Sequence, residues 1–207
     1  MNRTTVTEAV QIINQCENAI QVLFSIENAS LNLVNMMHFG IFELLFKINV
    51  DICDSYKMEV TDNENARLTL VLKHILKDLG LPQMWADMRI VREDRDNLVT
   101  LTITHYLVDD VHSDDDYEQI PLKSMVVRCN TENPHKINIC IDVFYNDTPL
   151  GMDFSKPAHN IQNFVDKMIK TLIKNIINRL KQFIEKMPYT SNPQVIQYGH
   201  QHGHQHG

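Results

Sequence analysis

The spacing of hydrophobic residues in the first 80 positions predicts three helices. Residues 5–8 and 61–64 each fit a capping box, in which a Thr and a Glu three positions later satisfy the first free amides of a helix. Residues 30–53, the second helix, are apolar nearly all round, so this helix needs burial on several sides or a subunit interface. Glu43 and Lys47 are spaced to pair on its one exposed strip.

Past Pro82 the hydrophobic period changes from about 3.6 to 2, which is typical of strands. Apolar and polar residues alternate before and after the polar turn at residues 93–97, and a second hairpin turns at residues 130–135. The pattern therefore predicts a four-stranded antiparallel meander. One face of the second hairpin is expected to carry Met125, Val127, Cys129, Ile137, Ile139 and Ile141.

Residues 157–187 have the clearest helical pattern in the chain, with apolar side chains on one face for about 30 residues. This stripe most simply covers one face of the sheet. The alternative is an exposed basic amphipathic helix that binds a membrane, a calmodulin-like partner or nucleic acid.

These elements predict an α+β fold class: an N-terminal helical region, a four-stranded antiparallel β-meander and a long C-terminal amphipathic helix packed on the sheet. We expect one domain over residues 1–187, since a chain of 207 residues is of single-domain size. The expected boundaries are 1–81 for the helices, 82–155 for the meander, 156–187 for the C-terminal helix and 188–207 for a flexible tail.

Composition restricts the possible functions. Hydrophobic residues make up 43% of the chain and charged residues 22%, as in an ordinary folded protein. Only six glycines occur, three of them in the last nine residues, so loops that cradle phosphates and nucleophile elbows have little glycine to use. Neither HExxH, GxSxG nor a Walker A sequence is present. We therefore expect a protein without catalytic activity and without a cofactor.

The net charge of −7 is unevenly distributed. Residues 87–118 contain ten acidic and three basic residues, whereas residues 156–187 contain seven basic and two acidic ones. Two solvated faces of one fold explain this division, although opposed patches also steer partners. Basic residues do not interleave with aromatic residues on the predicted strands, so we expect no binding of nucleic acid.

The N-terminus shows no secretory signal, and the most apolar window contains too many polar residues for a transmembrane segment. The four cysteines show no CxxC spacing. In the predicted second hairpin Cys129 and Cys140 lie on opposite faces, so a disulfide between them would require a register slip. These features predict four reduced thiols and an intracellular, cytoplasmic protein.

Abundant Ile and Asn with scarce Ala and Gly are typical of an AT-rich genome, such as that of a virus, a protist or a low-GC bacterium.

Two segments carry potential metal ligands. Four histidines at alternate positions of the tail would chelate Zn, Ni or Cu, although a purification tag or low-complexity tail explains them better. An acidic loop between strands offers oxygen ligands for Ca²⁺ or Mg²⁺, but it lacks the glycine and spacing of an EF-hand, and a solvated loop explains it better. The tail histidines are His200, His202, His204 and His206, and the loop ligands are Asp110, His112, Asp114 and Asp116.

The residues themselves identify no family. From residue 62 onward the predicted order of helix, four-strand meander and helix resembles the topology of RWD and ubiquitin-conjugating-enzyme-like domains. A long C-terminal helix across a curved antiparallel sheet is similar to helix-grip lipid binders. Conjugating activity is not expected, because its thioester cysteine follows the meander and no cysteine occurs after Cys140. Topology alone does not confer function.

Three functions follow in order of preference. The first is a non-enzymatic structural or protein-interaction role, with self-association through the apolar N-terminal helices. The second is a binding module for a small apolar ligand or lipid between the sheet and the C-terminal helix. The third is a metal-dependent hydrolase that uses the acidic loop. The expected interaction residues are Leu33, Met36, Phe39, Phe42, Phe46, Lys167, Lys170 and Lys174.

Overall fold

A single antiparallel sheet of nine strands dominates the computed structural model of the chain. The structure describes residues 9–16, 18–74, 77, 82–106, 117–145 and 159–188, without the side chains of residues 159–166, 168 and 169. The strands are β1 (Gln11–Cys16), β2 (Ala19–Glu27), β3 (Cys53–Val60), β4 (Asn65–Leu72), β5 (Gln83–Arg95), β6 (Leu98–His105), β7 (Tyr117–Gln119), β8 (Leu122–Asn133) and β9 (Lys136–Tyr145).

Eight strands follow the order β1-β2-β9-β8-β6-β5-β4-β3, and the short strand β7 pairs in parallel with β5. A 3₁₀ turn (Leu33–Met36) and a helix α1 (Gly40–Ile48) connect β2 to β3, and a long helix α2 (His159–Glu185) follows β9. We call the apolar face of the sheet the inner face and the opposite face the outer face. The inner face carries most of the core, because buried apolar residues alternate along the strands there.

The predicted first helix is wrong, because Gln11–Cys16 and Ala19–Glu27 are antiparallel strands paired with each other. Strand β2 pairs with β9 along its whole length, so its buried residues follow the strand period of two. The helical spacing at the start of the chain coincides with this pattern by chance. The residues of β2 that are buried on the inner face are Ile20, Val22, Phe24 and Ile26.

The predicted third helix is also wrong, and its capping sequence forms a turn. Oδ1 of Asp62 accepts hydrogen bonds from the backbone amides of Glu64 and Asn65, both at 2.7 Å, which links β3 to β4. Side chains that cap helices also stabilise tight turns, so the motif serves both structures. Strand β4 then buries Ala66, Leu68 and Leu70 at alternate positions.

The predicted second helix shrinks to the 3₁₀ turn and the nine residues of α1. The predicted pair of Glu43 and Lys47 is confirmed, with 3.6 Å between the carboxylate and the ammonium group. Asn49 caps the C-terminus of α1, and its Nδ2 donates back to the carbonyl oxygen of Leu45 at 2.8 Å. Residues 50–52 then form a turn that leads into β3, which begins at Cys53.

The predicted fold class is therefore wrong, since a nine-stranded sheet replaces the helical region and the four-stranded meander. The predicted strands are present as β5, β6, β8 and β9, within a larger sheet. The predicted faces of the second hairpin are confirmed, because Val127 pairs with Ile141 and Cys129 pairs with Ile139. Cys140 lies on the outer face opposite Arg128, and all four cysteines are free thiols.

Candidate functional site

Three neighbouring apolar residues at the centre of the inner face are only partly buried. Val127 on β8 and Ile141 on β9 lie directly opposite each other, and Met125 lies two positions from Val127. The flanking inner-face residues are buried, so accessible apolar surface remains only at these three positions in the middle of the described sheet, and we call this three-residue patch the depression. These flanking residues are Val22, Leu101, Ile103, Cys129, Ile139 and Val143.

Helix α1 packs on the inner face at the β3 side of the sheet. Phe42 is buried in the core, and the ring of Phe46 packs against that of Tyr56 on β3 with 5.0 Å between the ring centroids. The two helices are also joined, since Arg179 of α2 forms an ion pair with Asp51 and donates to Oδ1 of Asn49 at 3.3 Å. Helix α1 therefore packs on the sheet at β3 and is tied to α2 through the residues that follow it.

Helix α2 is anchored at the β2 side of the sheet through its C-terminal half. Lys181 is buried, donates to the backbone oxygen of Ser25 on β2, and lies 2.9 Å from Oε1 of Glu185. Nδ2 of Asn28 donates to the carbonyl oxygens of Ile184 and Met187 at 2.7 and 3.0 Å, which satisfies free acceptors at the end of the helix. The apolar anchors of this half are Ile177, Leu180 and Ile184.

A cationic residue lies on the inner face in the same row as the depression. Arg92 on β5 pairs with Leu101 on β6, which in turn pairs with Val127 on β8. Its side chain is 19% exposed, and Nη2 lies 2.6 Å from Oδ2 of Asp94. Among the described residues Nε of Arg92 is buried and has no hydrogen-bond partner. A buried N–H group without a partner is costly, so this donor is suited to a hydrogen-bond acceptor that enters the space.

His38 lies beside this charged pair, in the loop between the 3₁₀ turn and α1. Its ring packs edge-on against that of Phe39, with 5.1 Å between the centroids. Burial lowers the pKa of His38, and the positive charge of Arg92 lowers it further, while the negative charge of Asp94 acts in the opposite direction. A neutral imidazole therefore accompanies the guanidinium group at neutral pH.

A second histidine, His105, lies at the C-terminal end of β6. Nε2 of His105 lies 3.0 Å from the carbonyl oxygen of Ile120, and Nδ1 lies 3.0 Å from Nε2 of Gln119. The amide donates to Nδ1, so Nε2 carries the proton and donates to the carbonyl. Both ring nitrogens are thus satisfied, and His105 holds β7 against β6.

The residues predicted to form an interaction surface fall in two places. Leu33, Phe39 and Phe42 are buried in the core, and Met36 and Phe46 are partly buried against it. Lys167, Lys170 and Lys174 line a groove of about 440 Å³ between α2 and β1. The apolar residues of the predicted second helix therefore contribute to the interior of the fold and give no support to self-association.

The predicted metal ligands lie outside the described residues. This holds for Asp110, His112, Asp114 and Asp116 in the acidic loop and for His200, His202, His204 and His206 in the tail. Within the part of the chain that the structure describes, no group of three His, Cys, Asp or Glu side chains is placed to hold a metal ion.

Sequence reasoning missed Arg92 and the depression, although one signal was present. The alternation Ala86, Met88, Ile90 places Arg92 in phase with the apolar positions, so a cation on the inner face was open to prediction. The partial exposure of Val127 had no such signal, because Val127 has the same apolar character as its buried neighbours on the inner face.

No known family profile and no curated protein sequence matches this chain. Solved structures do share its fold. Human STARD10 is 6% identical, with 84% of this chain and 74% of that chain covered and a TM-score of 0.58. The lipid transfer and protein localization domain of human StarD13 is 10% identical, with coverages of 87% and 91% and a TM-score of 0.56. The StAR-related lipid transfer protein of Xanthomonas axonopodis is 8% identical, with coverages of 86% and 99% and a TM-score of 0.55.

The chain therefore has the fold of StAR-related lipid transfer domains, in which a curved antiparallel sheet is combined with a long C-terminal helix. The expectation of a structural, oligomeric protein was wrong, since the sheet-dominated fold places the apolar residues assigned to the interface in or against the core. A viral source gains no support either. Neither helix in the described ranges is long and apolar enough to cross a membrane.

Proposed function

We propose that the protein binds a lipid or another small apolar molecule between the inner face of the sheet, α1 and α2. The observation that carries this proposal is the partial exposure of Met125, Val127 and Ile141 at the centre of the sheet. Protein interiors are close-packed, and central positions of a covered sheet are normally the most deeply buried. The fold shared with lipid transfer domains supports the same function.

The proposed ligand has an apolar body and a polar end that accepts hydrogen bonds. Adjacent strands are about 4.8 Å apart, so Arg92 starts about 10 Å from Val127 and about 14 Å from Ile141 along one row of the sheet. A bound molecule whose apolar part covers Val127 would reach the guanidinium with its other end. Small-molecule sites commonly combine such an apolar lining with a few placed polar groups.

Filling the depression tests the site. In Val127→Trp the indole would occupy the space on the inner face, whereas Val126→Trp places the same group on the outer face of the same strand. The readout is transfer of a fluorescent phosphatidylcholine or fatty acid from donor vesicles to the protein. We expect Val127→Trp to lower uptake at least tenfold and Val126→Trp to leave it within about twofold of the original protein.

Circular dichroism and thermal unfolding establish that both variants fold. Equal uptake by the two folded variants would show that the apolar molecule binds elsewhere. Absence of uptake by the unaltered protein, for phospholipids, fatty acids and sterols alike, would overturn the proposed function.

The role of Arg92 in binding the polar end of the ligand is tested in the same assay with Arg92→Met and its control Arg89→Met. Arg89 lies on the same strand but on the outer face, where it is exposed. We expect Arg92→Met to weaken the binding of a fatty acid while binding of a hydrocarbon probe without acceptors is retained. Equal loss for both probes would assign Arg92 a structural role only.

A further inference from the structure

The two outer edges of the sheet differ in their protection against added strands. Strand β3 carries charged residues at its edge, with Lys57 and Glu59 forming an ion pair. Strand β1, with the sequence QIINQC, carries no charge and no proline, and most of its residues are exposed. Natural proteins commonly protect edge strands with charges, prolines or covering segments. Strand β1 pairs only with β2 among the described strands, so none of these strands pairs with its outer row of backbone amides and carbonyls.

Helix α2 places positive charge directly along this edge. Lys167, Lys170 and Lys174, together with Thr171, face β1 across the groove that Val10 and Ile12 line from the strand side. Lys167 and Lys174 are exposed and form no ion pair with a described carboxylate. The groove thus has an apolar floor, a basic wall and an open strand edge.

We propose that the β1 edge binds an extended acidic segment of a partner protein by strand addition. Only a peptide chain satisfies the backbone groups of the edge, because lipid headgroups and small anions have no matching row of donors and acceptors. Six residues of strand span about 20 Å, and alternate side chains of an added strand point into the groove. Acidic side chains at those alternate positions meet the lysine ammonium groups. This proposal does not rest on the apolar site, because the residues that line the groove are different from Met125, Val127 and Ile141.

The probe is a fluorescein-labelled peptide in which glutamate alternates with threonine, measured by fluorescence anisotropy on the full chain. The same peptide methylated on alternate backbone nitrogens retains its charge but cannot join a sheet along the methylated edge. Two methylated peptides are tested, each methylated on one of the two alternate sets of backbone nitrogens. We expect one of them to bind at least tenfold more weakly than the unmethylated peptide. Equal binding of all three peptides would overturn strand addition.

Charge complementarity is tested with the double variant Lys167→Gln/Lys174→Gln and the control Lys123→Gln/Lys186→Gln. The control removes two exposed lysines elsewhere, so it corrects for net charge. We expect the first variant to bind the acidic peptide about fivefold more weakly and the control to bind as the original protein does. Equal loss in both variants would reduce the effect to general electrostatics and overturn the assignment to the groove.

Hydrogen exchange locates the contact, because strand addition protects β1 amides that are otherwise open to solvent. Vesicles of phosphatidylserine and phosphatidylcholine serve as the competing anionic surface. Protection of β1 by the peptide supports the proposal. Lysine-dependent binding of vesicles without binding of the peptide would replace it with a membrane-docking role, and absence of all peptide binding would reject it.

Discussion

The Nζ atom of Lys181 lies 2.9 Å from Oε1 of Glu185 on the next turn of α2, and the lysine is buried. The same ammonium group donates to the backbone oxygen of Ser25 on β2. A buried charge is tolerated only when it is paired and hydrogen-bonded, so these two contacts fix the lysine and the helix together.

We expect Lys181→Ala to lower the free energy of unfolding by about 2–3 kcal/mol, somewhat less than for a fully enclosed pair because Glu185 is partly exposed. The double variant Lys181→Met/Glu185→Leu removes both charges and is expected to stay within about 1 kcal/mol of the original protein. Urea unfolding of the three proteins measures this difference. A cost below about 0.5 kcal/mol for Lys181→Ala would show that the pair does not anchor α2.

Phe39 distinguishes a core role from an interface role for the apolar residues between β2 and β3. Its side chain is completely buried within one chain. We expect Phe39→Ala to cost about 3–5 kcal/mol of unfolding free energy at every protein concentration. The exposed Phe183 is the control, and Phe183→Ala is expected to cost less than about 1 kcal/mol. A stability loss that varied with protein concentration would point to an interface.

The lowered pKa of His38 makes the free energy of unfolding depend on pH. Because burial and Arg92 lower its pKa in the folded chain below the usual 6.5, the unfolded chain binds more protons between the two values. The contribution of His38 to stability is therefore complete above about pH 6.5 and is lost as the pH falls toward the folded-state pKa. Urea unfolding of His38→Gln is expected to show a smaller decrease from pH 7.5 to pH 5.5 than the original protein. Identical pH profiles would contradict this assignment.

The four thiols are expected to react in a fixed order. Cys16 is exposed on β1, whereas Cys129 is buried on the inner face, where burial raises the pKa of its thiol to about 12. At pH 8 iodoacetamide should therefore modify Cys16 first and Cys129 only on unfolding. Peptide mass spectrometry over a time course reads out the order, with Cys16→Ser as the control. Early modification of Cys129 would mean that the core opens at that strand.

The segments with a hydrophobic period of two predicted strands correctly because the two faces of the β8–β9 hairpin differ in polarity. In β8 and β9 the inner residues are apolar and the outer ones include Arg128 and Asp142, which form an ion pair across the strands. Alternation of this kind shows which side chains share a face, which is why Val127 and Ile141 were correctly predicted to lie on the same face of the sheet.

The N-terminal region was not predictable in the same way. Strand β2 is paired on both sides, and Leu23 and Ser25 on its outer face are also partly or fully buried, which blurs its alternation. At residues 61–64 the capping sequence is satisfied by a turn around Asp62, and only the pairing of β4 with β5 decides between turn and helix. Tertiary pairing thus overrides local preference at both places.

The position of β2 between β1 and β9 also sets an order of events during synthesis. Nε2 of Gln21 donates at 2.8 Å to Oδ1 of Asp142, a residue 121 positions later. The backbone groups of β2 that pair with β9 likewise have no partner until β9 is present. Contacts of such long sequence separation form slowly, because the intervening chain must first be brought together. Until β9 has left the ribosome, Val22 and Phe24 have no partner strand on that side, so a nascent chain that stalls before Lys136 presents an apolar hairpin to chaperones or to aggregation.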